Sequence, residues 1–261
     1  MTILDKIIAV KRTEVDLAKT QRSEEQLRAM PLFNRSCIDF SASIREHSRT
    51  GIIAEYKRAS PSKGVINDQV SPAEVSVAYQ SAGASAISVL TDTEFFKGTL
   101  SDLLEVRQSV SLPILRKDFI VDSYQLLEAK AHGADVILLI AAVLSSKEIK
   151  TLSSVAKDLG LSVLVEVHNR QELEKTIYDT VDAIGVNNRN LHDFSVSLDH
   201  SKELVNLIPD RYCKISESGI SDPRTILELK SLGFDGFLIG ENFMKAEDPG
   251  LEIKSFSEAL D

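Results

Sequence analysis

Lys57 and Lys117 can donate protons, and Glu55, Glu166 and Glu217 can accept or return them; each stands at or just past the end of a short apolar run. Acid–base catalysis needs such groups within hydrogen-bond reach of one substrate, with pKa values set by burial and neighbours. Glu55 and Lys57 flank Tyr56, so in extended backbone their side chains point the same way. Glu166 ends the apolar run Ser162-Val163-Leu164-Val165. Asn187 and Arg189 follow another such run. One charged residue at a run's end is ordinarily solvated or ion-paired. Several converging on one place need pairing or a function, because burying charge is costly.

A second group has a different chemistry. Ser218-Gly219-Ile220 and Ile239-Gly240-Glu241 follow the last two apolar runs. Glycine lets backbone N–H groups approach an anion closely, which suits phosphate; the plainer reading is two turn glycines. Metal chemistry has no such support. His47, His132, His168, His192 and His200 lack ligand spacing such as H-E-x-x-H. His168 and His192 fall on loops within reach of the charged cluster, although loop histidines are ordinarily just solvated. Cys37 and Cys213 lack metal spacing, and two thiols make no disulfide framework. No G-x-S-x-G nucleophile elbow is present.

The elements that would position these groups follow a repeating rhythm from Gly51 onward. Eight short apolar runs begin at Ile52, Ala86, Pro113, Val136, Ser162, Ala183, Tyr212 and Gly236. Such runs suit strands buried on both faces of a parallel sheet. Amphipathic stretches lie between them. Ser71-Pro72 and Asp222-Pro223 read as helix starts, with the polar residue as N-cap and proline in the first turn. Gly83, Gly133 and Gly233 read as left-handed helix ends just ahead of the next strand. Eight βα units fit either a closed (β/α)8 barrel or an open doubly wound sheet. The open dinucleotide-binding sheet should carry G-x-G-x-x-G, which is absent, and Lys63-Gly64 has the wrong order for a P-loop. In a (β/α)8 barrel all the strand ends share one rim, where the active site lies, and phosphate binds beside strands seven and eight.

Residues 1–50 read as an N-terminal helical extension and 51–261 as the barrel, together one domain of the 261 residues. Thr2 with Asp5 resembles a capping box, and Leu4, Ile8, Val15 and Ala18 share a face. A second short helix is expected from Glu24 to Met30, broken by Pro31. The net charge of -9 and pI near 5.2 argue against nucleic-acid binding. Ile7-Ile8-Ala9-Val10 is too short for a signal peptide, and no run approaches the roughly 20 apolar residues of a membrane span. A cytoplasmic protein with no obligate protein partner is the expectation.

The strand-end motifs resemble those of the indole-3-glycerol-phosphate synthase family. The segments are Ala54–Ser62, Pro113–Phe119, Leu164–His168, Ile184–Leu191, Ser216–Ile220 and Leu238–Glu241, in the family's order, with Lys11 to Glu14 in the extension. Two departures stand out: Lys97, where a smaller or neutral residue is expected, and Asp193 to Ser201. The resemblance implies a monofunctional (β/α)8-barrel lyase of tryptophan biosynthesis. It converts 1-(2-carboxyphenylamino)-1-deoxyribulose 5-phosphate to indole-3-glycerol phosphate, carbon dioxide and water, with no metal or organic cofactor. Lys117 resembles the general acid and Glu166 an acid–base residue; Glu55 and Lys57 share the remaining steps, and Lys57 can also hold an anionic group. Ser60, Phe119, Asn187, Arg189, Glu217 and Ser218 resemble substrate contacts, with Phe119 against the aromatic ring. Gly219, Gly240 and the backbone of Glu241 resemble phosphate contacts. The extension helps cover the mouth.

Two rivals differ in their demands. A phosphoribosylanthranilate isomerase needs a cysteine and an aspartate at strand ends, and Cys213 precedes the end of its run. A regulatory sugar-phosphate-binding barrel would not need both Lys117 and Glu166.

Overall fold

The structure is a computed structural model that describes residues 2–189 and 195–260. Eight strands, β1 (Ile52–Tyr56), β2 (Ala86–Leu90), β3 (Ile114–Lys117), β4 (Val136–Ile140), β5 (Ser162–Val167), β6 (Ala183–Asn187), β7 (Cys213–Glu217) and β8 (Gly236–Ile239), close into a parallel barrel in sequence order, with β8 paired to β1. Helices intervene between the strands, so the architecture is the (β/α)8 barrel. Every expected run is a strand.

Alternation along each strand makes two cores. Ile53, Leu115, Leu138, Leu164, Cys213 and Ile215 point inward and pack together. Tyr56, Ile87, Ile137, Val163, Val186 and Phe237 point outward under the helices. The expected helix signals hold. Ser71 and Asp222 cap their helices with proline in the first turn, and Gly83, Gly133 and Gly233 have φ of 87°, 88° and 104°.

The extension departs in detail from its sequence reading. Helix α1 (Ile3–Gln21) opens with the reciprocal Thr2–Asp5 capping box. Its buried stripe is Ile7, Lys11 and Val15, whereas Leu4, Ile8 and Ala18 are only half-buried. The stripe turns because Lys11 finds carboxylate partners in the barrel, as shown below. Helix α2 (Glu24–Arg28) stops short of Met30, and Ser23 with Gln26 caps its start. A third helix, α3 (Phe40–Ile44), sends Phe40 and Ile44 into the inner core. Ser43 and Arg45 bond residues just ahead of strands, the Ser85 carbonyl and the Asp235 carboxylate, so α3 covers the N-terminal end of the barrel. The opposite end is left for chemistry. Among the described residues no helix is long and apolar enough to cross a membrane.

Candidate active site

The C-terminal ends of the strands surround a cavity of about 170 Å³. Every expected site residue lines it except Gly219 and Gly240. Glu55 comes from β1, Lys117 from β3, Glu166 from β5, Asn187 from β6 and Glu217 from β7. Lys57, Phe119, Arg189 and Ser218 come from the loops that follow strands, Ser60 from the short strand Ala59–Ser60 beyond β1, and Glu241 from the start of the helix after β8. Leu138, Ile140 and Leu238 make an apolar floor beneath the charges. On one wall Phe96 and Phe119 approach with ring centroids 6.0 Å apart, next to Leu90. Ile3, Leu4 and Ile7 of α1 complete the lining, so the extension does form part of the mouth.

The glutamates at the strand ends are buried, and half-buried cations pair with them. Lys57 Nζ lies 2.9 Å from Glu55 Oε1, and Lys117 Nζ 3.4 Å from Glu166 Oε2. Asn187 Nδ2 donates to Glu166 Oε1 at 3.1 Å, while its Oδ1 accepts the Arg189 backbone N–H. Arg189 reaches Glu241 at 3.4 Å, tying the loop after β6 to the loop after β8. Burial opposes the charge on Lys117, but the carboxylates of Glu166, Glu217 and Glu55 outweigh it and raise its pKa. Burial likewise opposes ionisation of Glu166, but the Lys117 and His168 charges and the Asn187 amide outweigh it and lower its pKa. Glu217 goes the other way. Burial, then the neighbouring Glu166 charge, push it up to about 8, against a partial offset from Lys117. Among the described residues its Oε1 has no hydrogen-bond partner, and it fills the space over Gly185, where a Cβ would collide with it. One carboxylate held ionised beside one held neutral is the arrangement that separates base from acid.

The phosphate-type features lie beside this group. Ser218 and Gly219 have φ of 68° and 78°, a left-handed pair that turns the chain sharply after β7. The short helix Glu241–Met244 opens at Gly240 with no side-chain cap. Gly240 has a packing role as well, since a Cβ there would meet Glu55 Oε1 at 2.5 Å. Lys97, the unexpected residue, has a φ of 56° and ends the helix Thr93–Phe96; a left-handed cap favours glycine or asparagine. Asn190, Leu191 and His192, and with them Asp193 and Phe194, lie outside the described residues.

Sequence reasoning missed two things. His168 is not solvated: its side chain is 11% exposed, with Nε2 3.5 Å from Glu166 Oε1. Lys11 is buried inside an ion cluster, 2.9 Å from Asp118 and 3.0 Å from Asp92. Asp118 also meets Arg116 at 3.0 Å and accepts the Thr91 hydroxyl at 2.6 Å. Burial opposes its charge, yet Arg116, Lys11 and Thr91 together hold it down at about 2. The cluster thus ties α1 to the residue next to Lys117. A basic residue inside an otherwise apolar helical stripe was the available signal.

A family model for indole-3-glycerol phosphate synthase matches residues 4–256. The chain belongs to that family. The indole-3-glycerol phosphate synthase of Bacteroides thetaiotaomicron is 46% identical over 99% of this chain and 98% of its own length. The family name denotes a carboxy-lyase of tryptophan biosynthesis. Likeness in fold extends further. A 3-hexulose-6-phosphate synthase from Salmonella typhimurium matches with a TM-score of 0.63 at 16% identity, over 81% of this chain and 98% of its own. A structure described as native KDPGal matches with a TM-score of 0.58 at 13% identity, over 83% and 95%. These two share only the barrel. Cys213, the strand-end cysteine that an isomerase reading would need, opens β7 and is buried in the inner core away from the mouth, and burial pushes its thiol well up.

Proposed function

We propose that the cavity closes the indole ring of 1-(2-carboxyphenylamino)-1-deoxyribulose 5-phosphate, releasing carbon dioxide and water, with the charged ring of side chains as its machinery. The benzene ring lies against Phe119 and Phe96. The phosphate rests on the backbone of Ser218–Gly219 and on the uncapped start of the helix at Gly240–Glu241. Lys117, an ammonium at neutral pH, gives a proton to the ketone oxygen as the carboxyl-bearing aromatic carbon attacks that ketone. The carboxylate leaves as carbon dioxide and the ring becomes aromatic again. Lys57, paired to Glu55, gives a second proton to the departing hydroxyl. Glu166, an ionised carboxylate, takes one proton from the methylene beside the ring nitrogen. Two protons given and one taken leave a net uptake of one, which matches the loss of a carboxylate as carbon dioxide. Asn187, Arg189, Ser60 and the neutral Glu217 orient the substrate.

The observation that carries this reading is the part-buried Lys117–Glu166 contact at 3.4 Å, which lines the cavity together with an apolar floor and the aromatic wall. The test is turnover of the carboxyphenylamino substrate by purified protein, read as indole fluorescence and released carbon dioxide, with chelator present. Turnover that survives chelator supports the reading. A folded protein without turnover refutes it.

A further inference from the structure

His168 follows β5 and stands beside Glu166 without lining the cavity. Its backbone N–H donates to Glu172 Oε2 at 2.8 Å, and its ring Nδ1 lies 3.1 Å from the same oxygen. Glu172 sits in the helix Arg170–Glu174, and its other oxygen accepts the Asn169 side-chain amide at 2.8 Å. A carboxylate can only accept, so Nδ1 carries a hydrogen. The far ring nitrogen, Nε2, is fully buried with no hydrogen-bond partner among the described residues, and Glu166 Oε1 lies 3.5 Å from it. A bare lone pair there would oppose a carboxylate oxygen. A proton on Nε2 turns that repulsion into an ion pair.

We propose that His168, clamped by Glu172, is a positioning residue for Glu166: as an imidazolium it holds Glu166 ionised and aims it into the cavity. The inference rests on Glu166 acting as the base. Glu166 then has a donor on every side, with Lys117 on Oε2, and Asn187 and His168 on Oε1. The other charged groups facing the imidazole are Glu172, which favours its cation, and Lys117, which opposes it. Burial works against the imidazolium, but the Glu172 hydrogen bond and the Glu166 charge outweigh it, so the His168 pKa is raised. Glu172 is lowered in turn: burial opposes its charge, and the His168 contacts overcome it. Carboxylate–imidazole–carboxylate order is what lets one proton stay beside Glu166 without entering the cavity.

The experiment compares pH profiles of kcat/KM for the wild type, His168→Asn and His168→Gln, after circular dichroism shows each folded. Asparagine can reproduce the Nδ1 contact with Glu172 but brings no donor to Glu166. Glutamine can place its amide near the Nε2 position without the charge. Loss of an opposite charge at this distance moves a carboxylate by about one pKa unit or more. The acid limb should therefore rise by about one unit in H168N, with H168Q recovering part of the plateau rate and less of the shift. Superimposable profiles, or a lower rate with no shift of the limb, would overturn the proposal. NMR titration of the imidazole resonances gives a readout that needs neither turnover nor a folded His168 variant. The His168 midpoint should lie above about 6.5 and fall in Glu172→Gln. A midpoint at or below that value would overturn the proposal even if the ring-closure reading stands. A wild type without turnover would sink the ring-closure reading, while the titration would still judge the clamp.

Discussion

Replacing Lys11 with methionine removes the charge of the buried cluster and keeps most of the packing volume. Three carboxylates lose a partner, but unequally. Glu14 is 42% exposed, so water takes over. Asp118 keeps Arg116 and the Thr91 hydroxyl. Asp92, 1% exposed, keeps among the described residues the Phe95 N–H that it caps at 2.8 Å and no cation. One buried carboxylate is thus left without a cation, and breaking a buried pair in this way costs about 3–5 kcal/mol. An unfolding entropy of about 2.1 cal/mol/K per residue over this chain converts that to a Tm lower by about 5–9 °C. The assay is thermal unfolding by circular dichroism at pH 7 for K11M and for K11M combined with Asp92→Asn. The double variant should regain at least half of the loss, because the amide needs no cation. The pH dependence has a definite sign. The Lys11 pKa is raised on folding, so its contribution is full below the unfolded value near 10.5 and fades as pH rises through the higher folded value. A K11M Tm within 2 °C of wild type, or a double variant no better than K11M, would show that this charge does not pin α1.

Two further outcomes follow from Glu217. Its pKa of about 8 lies above the ordinary carboxylate value, so ionising it in the fold costs stability as pH climbs from about 4.5 toward 8. Glu217→Gln should therefore gain Tm relative to wild type at pH 9 more than at pH 5, and its activity profile should lose an alkaline limb near pH 8; equal Tm differences at both pH values would contradict a neutral Glu217. Gly185→Ala puts a Cβ where Glu217 Oε1 sits. Overpacking of this kind costs about 1–3 kcal/mol, and displacement of Glu217 should lower kcat/KM at least tenfold in steady-state assays, whereas an unchanged kcat/KM would show that Glu217 has room to move.

The barrel was legible because its strands are buried on both faces and read as unbroken apolar runs, with glycine and proline marking the helix ends. The rim residues were legible from the same runs: Glu55, Lys117, Glu166, Asn187 and Glu217 close theirs on the inward-facing side of the strand, which at that end of the barrel is the mouth. What the sequence hid depends on partners distant in the chain. Lys11 looks like one more charge on a helix until Asp92 and Asp118 are brought beside it. Helix α3 is a five-residue segment whose role comes only from the open barrel end it covers. His168 looks like a loop histidine until the helix Arg170–Glu174 places Glu172 against its ring. The opposed ionisation of Glu166 and Glu217 belongs to neither residue alone, because it arises from shared burial with one lysine between them.

The measurement closest to the central claim is steady-state ring closure by Lys117→Met, with KM and kcat resolved and folding checked by its melting curve. A proton donor used in the transition state is worth roughly 10²–10⁴-fold in rate. The variant's kcat should fall by that factor, with KM changed only a few-fold. A folded variant that keeps kcat within about tenfold of wild type would contradict that claim.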